Sequence, residues 1–395
     1  MSAAIARKPV HLVMVTAENN NKFYDMIPDG DSFTIKYGRI NATCTTLSKP
    51  MSEWDKIYRS KVKKGYVDKS ELVAEAVINK DYATIADRDI AVLVDRLQGY
   101  AKHTIARHYE ITAGQVTPRM ITEAEQVLGQ LVNTADVQLF NDRLLELFTV
   151  IPRKMSKVQY FLAESKHDFQ RIITKETDLL EVMKTQAVIA TQPVASGDDL
   201  LTSLGLTITK KDFNLEKEVR TMLGDISHKY VNCWYAGNIA TAQRYDNRLA
   251  TMTGVHATEQ KFWHGSRNEN WFSILKTGMM IRPAGVATTG AMFGNGIYFA
   301  DRAKKSFGYT SARGSYWANG NDDHAYMAIF KVNTGKHHNV YRHTSACYDF
   351  NRANLLKAGN YDSVYAHKGA DLVNNEYIVY GPDQCTIYAL VELKG

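Results

Sequence analysis

The sequence predicts a multidomain α+β protein, and three successive patterns along its 395 residues support this prediction. Short β-like runs come first, apolar residues at helical spacing follow, and the last part mixes strands with a few helices. A chain of this length is long for one domain, so two or three domains are expected. We place the domains at residues 1–82, 86–190 and 195–395.

The first region predicts a small β-rich domain that ends in a basic helix. Its β-like runs are HLVMVTA, KFYDMI and SFTIKYGRI, with turn signals such as ENNN and PDGDS between them. The helix-like stretch SEWDKIYRSKVKKGY follows and carries Lys61, Lys63 and Lys64. Taken alone, such a run of charge is more often a solvated helix face than a binding surface.

The middle region predicts an all-α helical bundle, because its apolar residues recur at the spacing of one helix face and glycines are few. The periodic positions are Ile90, Leu93, Val94 and Leu97, then Phe140, Leu144, Leu147 and Phe148, and less regularly Phe169, Ile172, Ile173, Leu179, Leu180 and Met183.

The last region begins after ATQPVASGDDLLTSLG, a stretch whose proline and glycines indicate a boundary. The helix-like segments NLEKEVRTMLGDI and NWFSILKTG lie among the strand-like segments HAYMAIFKV, NEYIVYG and CTIYALVEL. This mixture predicts an α+β domain with antiparallel sheets.

Composition and charge disfavour several classes of protein. No stretch approaches eighteen consecutive apolar residues, and the N terminus lacks the apolar core of a secretory signal, so neither a transmembrane helix nor secretion is expected. The four cysteines are scattered, which favours a reducing compartment. We expect a nuclear location in a eukaryote and a cytoplasmic one in a bacterium or a virus. The net charge of +6 is compatible with a polyanionic partner but does not establish one.

The segment FGNGIYFADRAKKSFGY opens with Gly-x-Gly but does not fit a dinucleotide-binding helix. The Rossmann fingerprint needs a third glycine, a helix after the glycines, and an acidic residue about twenty positions later. Gly294 and Gly296 instead lead into the aromatic β-type run IYF. We therefore expect these glycines to let the chain bend into a strand, and a hydride-transferring dehydrogenase is disfavoured.

Three segments, WHGSRNENW, GIYFADRAKKSFGY and NNEYIVYG, are each a weak signal alone. A lone histidine is more often structural than catalytic, and a lone tyrosine more often packs in a core than stacks on a ligand. Together and in this order, the segments resemble the catalytic domain of the poly(ADP-ribose) polymerases over most of residues 195–395. The His-Tyr-Glu signature of that family matches His264, Tyr298 and Glu376.

The resemblance implies an ADP-ribosyltransferase that consumes NAD+ as a substrate, releases nicotinamide, and uses neither a metal nor a recycled cofactor. Breaking the bond between nicotinamide and its ribose passes through an oxocarbenium-like transition state, as in glycoside cleavage. The family pattern assigns Glu376 to that ribose and to the acceptor hydroxyl. Two alternatives stay open: transfer of a single ADP-ribose, and a catalytically silent scaffold that senses NAD or binds DNA ends.

Nicotinamide is a flat aromatic amide, which suits a site between two aromatic faces. By resemblance, Tyr309 is the main stacking face and Tyr298 closes the other side, while Lys305 orients Glu376. The resemblance implies further NAD contacts from the Gly265 backbone, from the Ser306 hydroxyl, and from His264, Ser266 and Asn270 near the adenosine-side ribose.

The resemblance extends upstream into residues 86–190. These resemble the regulatory helical domain of DNA-dependent members of the family, with LFTVIPRKM and HYEITAGQVTPRMI as similar segments. Asp178 matches an acidic residue that faces the NAD pocket in the family. A plain structural bundle is the alternative when these residues are taken alone. Beside the catalytic domain, an autoinhibitory role that DNA binding relieves is expected.

Residues 1–82 resemble a WGR domain, whose Trp-Gly-Arg triplet is here YGR. In the family this domain engages a DNA break and relays to the helical domain. The cations are expected to contact phosphates, which gives affinity without sequence preference. The residues expected at DNA are Tyr37, Arg39, Lys61, Lys63 and Lys64. The cysteine pattern excludes zinc fingers, so the resemblance places DNA recognition in this domain.

Two departures from the family patterns bear on these expectations. Tyr37 replaces the usual tryptophan of the triplet, and Met280 stands where arginine is usual, with Arg282 two residues further on. The expected partners are DNA strand breaks and protein acceptors, which include the chain itself. The sequence leaves open whether an accessory protein completes the acceptor site, and no membrane partner is expected.

Overall fold

The chain is described from a computed structural model, which covers residues 7–72, 85–110, 117–191, 199–281, 292–312, 322–369 and 371–395. It divides into two compact units. The first comprises Met1–Asn79 and Lys102–Thr191, and the second comprises Lys80–Ala101 and Gln192–Gly395. In the described part of the chain, no helix has both the length and the apolar character needed to cross a membrane.

A five-stranded antiparallel sheet opens the first unit, which confirms the predicted β-rich N terminus. Its strands are β1 (Val10–Thr16), β2 (Asn20–Asp29), β3 (Ser32–Arg39), β4 (Thr45–Pro50) and β5 (Val67–Asp68), in the order β4-β3-β2-β1-β5. The predicted basic helix is α1 (Trp54–Lys63). Trp54 buries its ring against Phe33, with ring centroids 4.9 Å apart, so the helix covers one face of the sheet.

The predicted helices also form. They are α2 (Arg88–His108), α3 (Pro118–Val132), α4 (Val137–Val150) and α5 (Phe169–Thr191). Helix α2 is divided between the units, because residues up to Ala101 belong to the second unit. Every periodic apolar position named above is buried except Phe169, which is partly buried and stacks on Phe140 with ring centroids 3.9 Å apart. Thr117 and Asp136 cap the starts of α3 and α4.

A buried ion pair ties the segment between α4 and α5 to helix α5. The Arg153 side chain is fully buried, its Nη2 donates to Glu176 Oε1 (3.1 Å), and its guanidinium lies 4.7 Å from the ring centre of Tyr109. The Arg153 carbonyl also accepts from Asn21 Nδ2 of β2 (3.0 Å). Arg153 therefore contacts both the sheet and helix α5 of the first unit.

The second unit contains two sheets and confirms the mixed α+β prediction. Its strands are β6 (Leu206–Lys210), β7 (Tyr230–Asn238), β8 (Glu259–Gly265), β9 (Ile297–Phe299), β10 (His324–Asn333), β11 (His337–Val340), β12 (Ser363–Ala366), β13 (Glu376–Val379) and β14 (Cys385–Lys394). The five-stranded sheet has the order β6-β7-β14-β10-β8, and the four-stranded sheet has the order β11-β12-β13-β9. The predicted runs HAYMAIFKV and CTIYALVEL are the almost fully buried β10 and β14.

Helices cover these sheets. They are α6 (Leu200–Leu204), α7 (Phe213–Leu223), α8 (Ile239–Ala250), α9 (Trp271–Thr277), α10 (Ala303–Phe307) and α11 (Arg352–Gly359). The five-stranded sheet is antiparallel throughout, but β11 and β12 pair in parallel, from His337↔Ser363 to Val340↔Ala366. A parallel pair needs a long crossover, and the connection through α11 supplies it.

Replacing Glu176 with alanine leaves the buried Arg153 guanidinium without its counter-charge. We expect the variant to lose about 3–5 kcal/mol of stability in the first unit. Native-state hydrogen exchange of the α5 amides measures this loss directly. The matched control is Glu146→Ala, which removes an exposed partner of Arg143 and should cost less than about 1 kcal/mol. Equal protection of α5 in both variants would contradict the importance of the buried pair.

Candidate active site

The site lies where an edge of the five-stranded sheet meets an edge of the four-stranded sheet. Trp263 N donates to Ala300 O (2.9 Å), and Ala300 N donates back to Trp263 O (3.0 Å). This bridge sets β8 beside the end of β9, so His264 and Tyr298 become neighbours. Strand β13 pairs with β9, with Ile378 opposite Tyr298. The predicted histidine, tyrosine and glutamate segments therefore converge.

Glu376 is a buried carboxylate with one oxygen engaged and one oxygen without a partner. Its Oε1 accepts from Lys305 Nζ, and the two side chains are 10% and 14% exposed. Among the described residues, nothing donates to the buried Oε2. A buried carboxylate oxygen without a donor costs stability, which is a cost usually found at functional positions. The predicted orienting role of Lys305 agrees with this contact.

Two tyrosines flank the carboxylate. The Tyr298 hydroxyl donates to Gly294 O (2.7 Å) and accepts from Phe293 N (3.0 Å), which fixes the ring. Burial raises the pKa of Tyr298, and the charge of Glu376 adds to the shift. The same two causes raise the pKa of Tyr309, whose side chain is nevertheless about half exposed. Both phenols therefore stay neutral, and Tyr309 offers an accessible aromatic face.

His264 is held as a neutral acceptor. Its Nδ1 lies 2.9 Å from the Tyr298 carbonyl, and because a carbonyl only accepts, Nδ1 carries the proton. Burial lowers the pKa of His264, which also favours the neutral ring. Trp271 and Phe330 pack edge-on against the imidazole. Nε2 is therefore the nitrogen that can accept a hydrogen bond from a ligand.

Gly265 is required by a close approach of two backbones. A Cβ at this position would lie 1.9 Å from the Ser306 carbonyl oxygen. Ser306 itself is buried on α10, so its backbone has no room to withdraw. Close by, Asn270 Nδ2 donates to Ser266 Oγ (3.0 Å), which joins two of the predicted adenosine-side residues. The sequence analysis identified Gly265 as a site residue, but it did not show that the Ser306 backbone is what excludes a side chain there.

The opening glycines of FGNGIYF lead directly into β9, as the sequence predicts, and they form a wall beside Tyr298. Gly294 has a φ of +74°, and a Cβ there would lie 2.1 Å from Phe350 O. Tyr380 contributes to the same wall, since its hydroxyl donates to Phe293 O. Tyr380 is a positioning residue that the sequence reasoning missed. The signal was available, because Tyr380 lies in the same NEYIVYG segment as Glu376.

Other predicted residues lie outside this cluster. Asp178 lies on α5 in the first unit, and its role at the NAD pocket stays a prediction. Met280 is 40% exposed after α9, and Arg282 lies outside the described residues. In the described ranges, no group of His, Cys, Asp or Glu side chains is arranged to hold a metal ion.

The four cations among the predicted DNA-binding residues divide into two pairs. Arg39 donates to Asn19 O (2.7 Å) and Ser156 O (2.9 Å), so its guanidinium joins the sheet to the segment between α4 and α5. The Lys61 ammonium lies 3.8 Å from the ring centre of Tyr24, and partial burial lowers its pKa. Lys63 and Lys64, at the end of α1, are exposed.

Tyr37 completes the aromatic group around Lys61. Its ring centre lies 5.4 Å from that of Tyr24, and the Lys61 ammonium lies 5.6 Å from the Tyr37 ring. Tyr66 closes the group at 5.5 Å from the same ammonium. The tyrosine that replaces the tryptophan of the triplet is therefore engaged in a cation–π contact within the chain.

Comparison with known proteins agrees with the site. Residues 213–395 match the family described as "Poly(ADP-ribose) polymerase catalytic domain", and residues 9–73 match the "WGR domain". "Uncharacterized protein 101L" of Invertebrate iridescent virus 6 is 33% identical over 179 residues, which are 44% of this chain and 76% of that protein. "Putative poly [ADP-ribose] polymerase-like 100L" of the same virus is 31% identical over 136 residues, 33% of this chain and 68% of that protein.

A plant relative extends over more of the chain. "Poly [ADP-ribose] polymerase 2" of Arabidopsis thaliana is 22% identical over 356 residues. The aligned region covers 75% of this chain but only 56% of the plant protein. The residues between 73 and 213 lie outside both family matches.

Replacing Gly265 with alanine should disrupt the site, because the new Cβ would lie 1.9 Å from the Ser306 carbonyl. We expect NAD+ consumption to fall at least about a hundredfold, since misplacing binding groups by about 1 Å has effects of this size. Initial rates with NAD+ and thermal unfolding measure the two consequences. Gly129→Ala is the matched control, because nothing lies within 4 Å of a Cβ there, and it should stabilise α3 by about 1 kcal/mol. An active Gly265→Ala enzyme would contradict the packing argument.

Proposed function

Because the chain belongs to the poly(ADP-ribose) polymerase family, we propose that it builds poly(ADP-ribose) from NAD+ on protein acceptors when it binds a DNA strand break. The chain carries the ADP-ribosyltransferase catalytic domain of this family together with a WGR domain. The observation that supports the proposal most strongly is the buried Glu376 carboxylate, with Oε1 bound to Lys305 and Oε2 without a donor.

NAD+ enters this proposal as a substrate. Tyr309 stacks on the nicotinamide ring, and Tyr298 closes the opposite side. The Gly265 backbone and the Ser306 hydroxyl hold the carboxamide at its edge. The bond between the nicotinamide nitrogen and ribose C1′ breaks, and its electron pair leaves with the neutral nicotinamide. The oxygen of an acceptor hydroxyl then forms the new bond to C1′, and its proton passes to Glu376 Oε2 and from there to water.

Glu376 acts at the bond that breaks. Its Oε2 accepts hydrogen bonds from the ribose hydroxyl and the incoming acceptor, both of which strengthen as positive charge develops on the ribose. Lys305 holds Oε1 and orients the carboxylate. The adenosine-side ribose is held by His264 Nε2 as acceptor, with Ser266 and Asn270 beside it.

Transfer of a single ADP-ribose is the second candidate, and the short connection between β12 and β13 favours it. In that connection Gly369 N donates to Leu372 O (2.9 Å), and Lys368 N donates to Asn375 Oδ1 (2.9 Å). The segment thus folds back on itself directly before Glu376. A short connection of this kind leaves few residues to hold a second ADP-ribose at Glu376 itself.

DNA activation is supported by the first unit. Lys63 and Lys64 are exposed for phosphate contacts. Arg39 and Asn21 connect the sheet to the carbonyls of residues 153 and 156, so a shift of the sheet on DNA reaches the segment before α5. A change of this kind can bias a helical regulatory region between two states. A catalytically silent scaffold is disfavoured, because a binder has no need of the buried Glu376 carboxylate.

The proposal is tested with labelled NAD+, with and without nicked duplex DNA, and with products resolved on a gel. Ladders that appear only with DNA support the full proposal. A single modified band supports transfer of one ADP-ribose, and ladders of equal intensity without DNA refute activation by breaks. No label on any protein at high concentration refutes the enzyme and leaves the scaffold.

The Glu376→Gln variant separates chemistry from binding. The amide keeps the shape of the side chain but removes its charge, so we expect elongation to fall at least about a hundredfold, within the range for loss of a catalytic acid–base group. NAD+ affinity should change less than about threefold, since little of it depends on that charge. Equilibrium binding of NAD+ and the gel assay provide the two readouts. Equal loss of binding and elongation would contradict the assigned role.

The double variant Lys63→Glu, Lys64→Glu tests the DNA contacts. We expect affinity for nicked duplex to fall at least about tenfold and the slope of log K against log salt to decrease by about 2. Fluorescence anisotropy over a salt series measures both quantities. Lys357→Glu, at an exposed lysine of α11, is the control for a general loss of positive charge. Matching behaviour of the two variants would remove these lysines from the DNA surface.

A further inference from the structure

Two parallel strands of the second unit end side by side, and each is followed by an aromatic residue and then a basic residue. Strand β11 is followed by Tyr341-Arg342, and β12 is followed by His367-Lys368. The register Val340↔Ala366 continues outward, since His367 N donates to Val340 O (2.8 Å). The structure therefore sets the ring of Tyr341 beside the ring of His367, and a cation follows each ring in the sequence.

The two aromatic residues form the outer end of a stack of five rings. From the core outward, the ring centroids of Phe262 and Tyr377 are 4.1 Å apart, Tyr377 and Tyr365 4.5 Å, Tyr365 and His367 3.8 Å, and His367 and Tyr341 4.2 Å. The last pair is nearly parallel, at 18°. We call these five rings the aromatic stack. The inner end of the stack is buried and holds the outer rings in place. A ligand that stacks on the outer end therefore orders few side chains when it binds.

The outer end of the stack is open. Tyr341 is 69% exposed although one of its faces lies on His367, so its other face is accessible. Arg342 and Lys368 directly follow the two outer rings in the sequence, and both are exposed. The neighbouring Asp371 carboxylate is engaged by the His343 N–H (2.7 Å). An accessible aromatic face with two adjacent cations fits a base that carries phosphates.

The open end lies at the same end of the sheet as Glu376. Ala366, which precedes His367, is the register partner of Glu376. Paired residues share a face of a sheet and successive residues alternate, so Tyr365 and Tyr377 lie on the opposite face from Glu376. The stack is therefore distinct from the NAD site, but a chain that leaves Glu376 can reach it around the end of the sheet.

We propose that the outer face of Tyr341, with Arg342 and Lys368, binds the adenine and diphosphate of an ADP-ribose unit in a chain attached to the acceptor. The inference rests on the proposed function, because that function places ADP-ribose at Glu376. Adenine stacks on Tyr341 as a sixth ring, and the two cations contact the diphosphate. Such a site retains a modified acceptor near the carboxylate between transfers.

The test is equilibrium binding of purified poly(ADP-ribose) of defined length to the full chain, which needs no catalysis. We expect Tyr341→Ala to weaken binding about tenfold, the effect of losing one stacked base, and Tyr341→Phe to change it less than about twofold. Arg342→Ala with Lys368→Ala should weaken binding and lower the salt dependence by about one contact per cation. The KM for NAD+ should stay unchanged in all of these variants.

Tyr348→Ala is the matched control, because Tyr348 is an exposed tyrosine of the neighbouring turn that lies outside the aromatic stack. Equal affinity of Tyr341→Ala and the native chain overturns the proposal, and so does an equal loss in Tyr348→Ala. Tighter, Tyr341-dependent binding of single-stranded oligoadenylate of the same length also overturns it, in favour of a nucleic-acid site. If the protein binds poly(ADP-ribose) through Tyr341 but never consumes NAD+, the binding site is supported and the proposed enzymatic function is refuted.

Discussion

The paired backbone hydrogen bonds between Trp263 and Ala300 connect an edge of one sheet to an edge of the other. Each sheet forms its own hydrogen-bonded ladder, and this bridge sets β8 against the end of β9. The His264 imidazole then reaches the Tyr298 carbonyl, and that contact fixes which ring nitrogen carries the proton. The tautomer of His264 therefore depends on a backbone contact between two strands, while the Tyr298 phenol is fixed separately by Gly294 and Phe293.

The buried Lys305–Glu376 pair lowers the stability of the folded protein. Two charges are withdrawn from water, which is expensive even when they attract each other, and one carboxylate oxygen is left without a donor. A protein selected for stability alone would satisfy that oxygen or replace the pair with apolar groups. The rest of the second unit compensates through the nearly continuous burial of β10 and β14. The fold thereby holds an incomplete polar group in a fixed place, ready for a substrate to complete it.

The sequence predicted the fold class, the helices and most strands, because long periodic runs such as those in α4 and β14 determine their own structure. It also named His264, Tyr298 and Glu376, which the structure brings together. It missed the parallel pairing of β11 and β12, since four-residue strands carry too little pattern to show a direction. The expectation that Arg39 and Lys61 contact phosphates stays a prediction, and within the chain these cations contact carbonyls and tyrosine rings. Such contacts depend on residues far away in sequence, such as Ser156, which no local pattern reports.

The compact connection between β12 and β13 has a consequence for engineering. Both strands are anchored by a four-pair antiparallel ladder from Ser363↔Val379 to Ala366↔Glu376, so the ends of the connection are fixed independently of its length. Loop closure entropy grows slowly with length, at about 0.6 kcal/mol for each doubling, so longer segments can be grafted there cheaply. The grafted residues would stand directly before Glu376 without altering the residues to which we assign NAD+ contacts. In the proposed enzyme, product length could then be redesigned by exchanging this one connection.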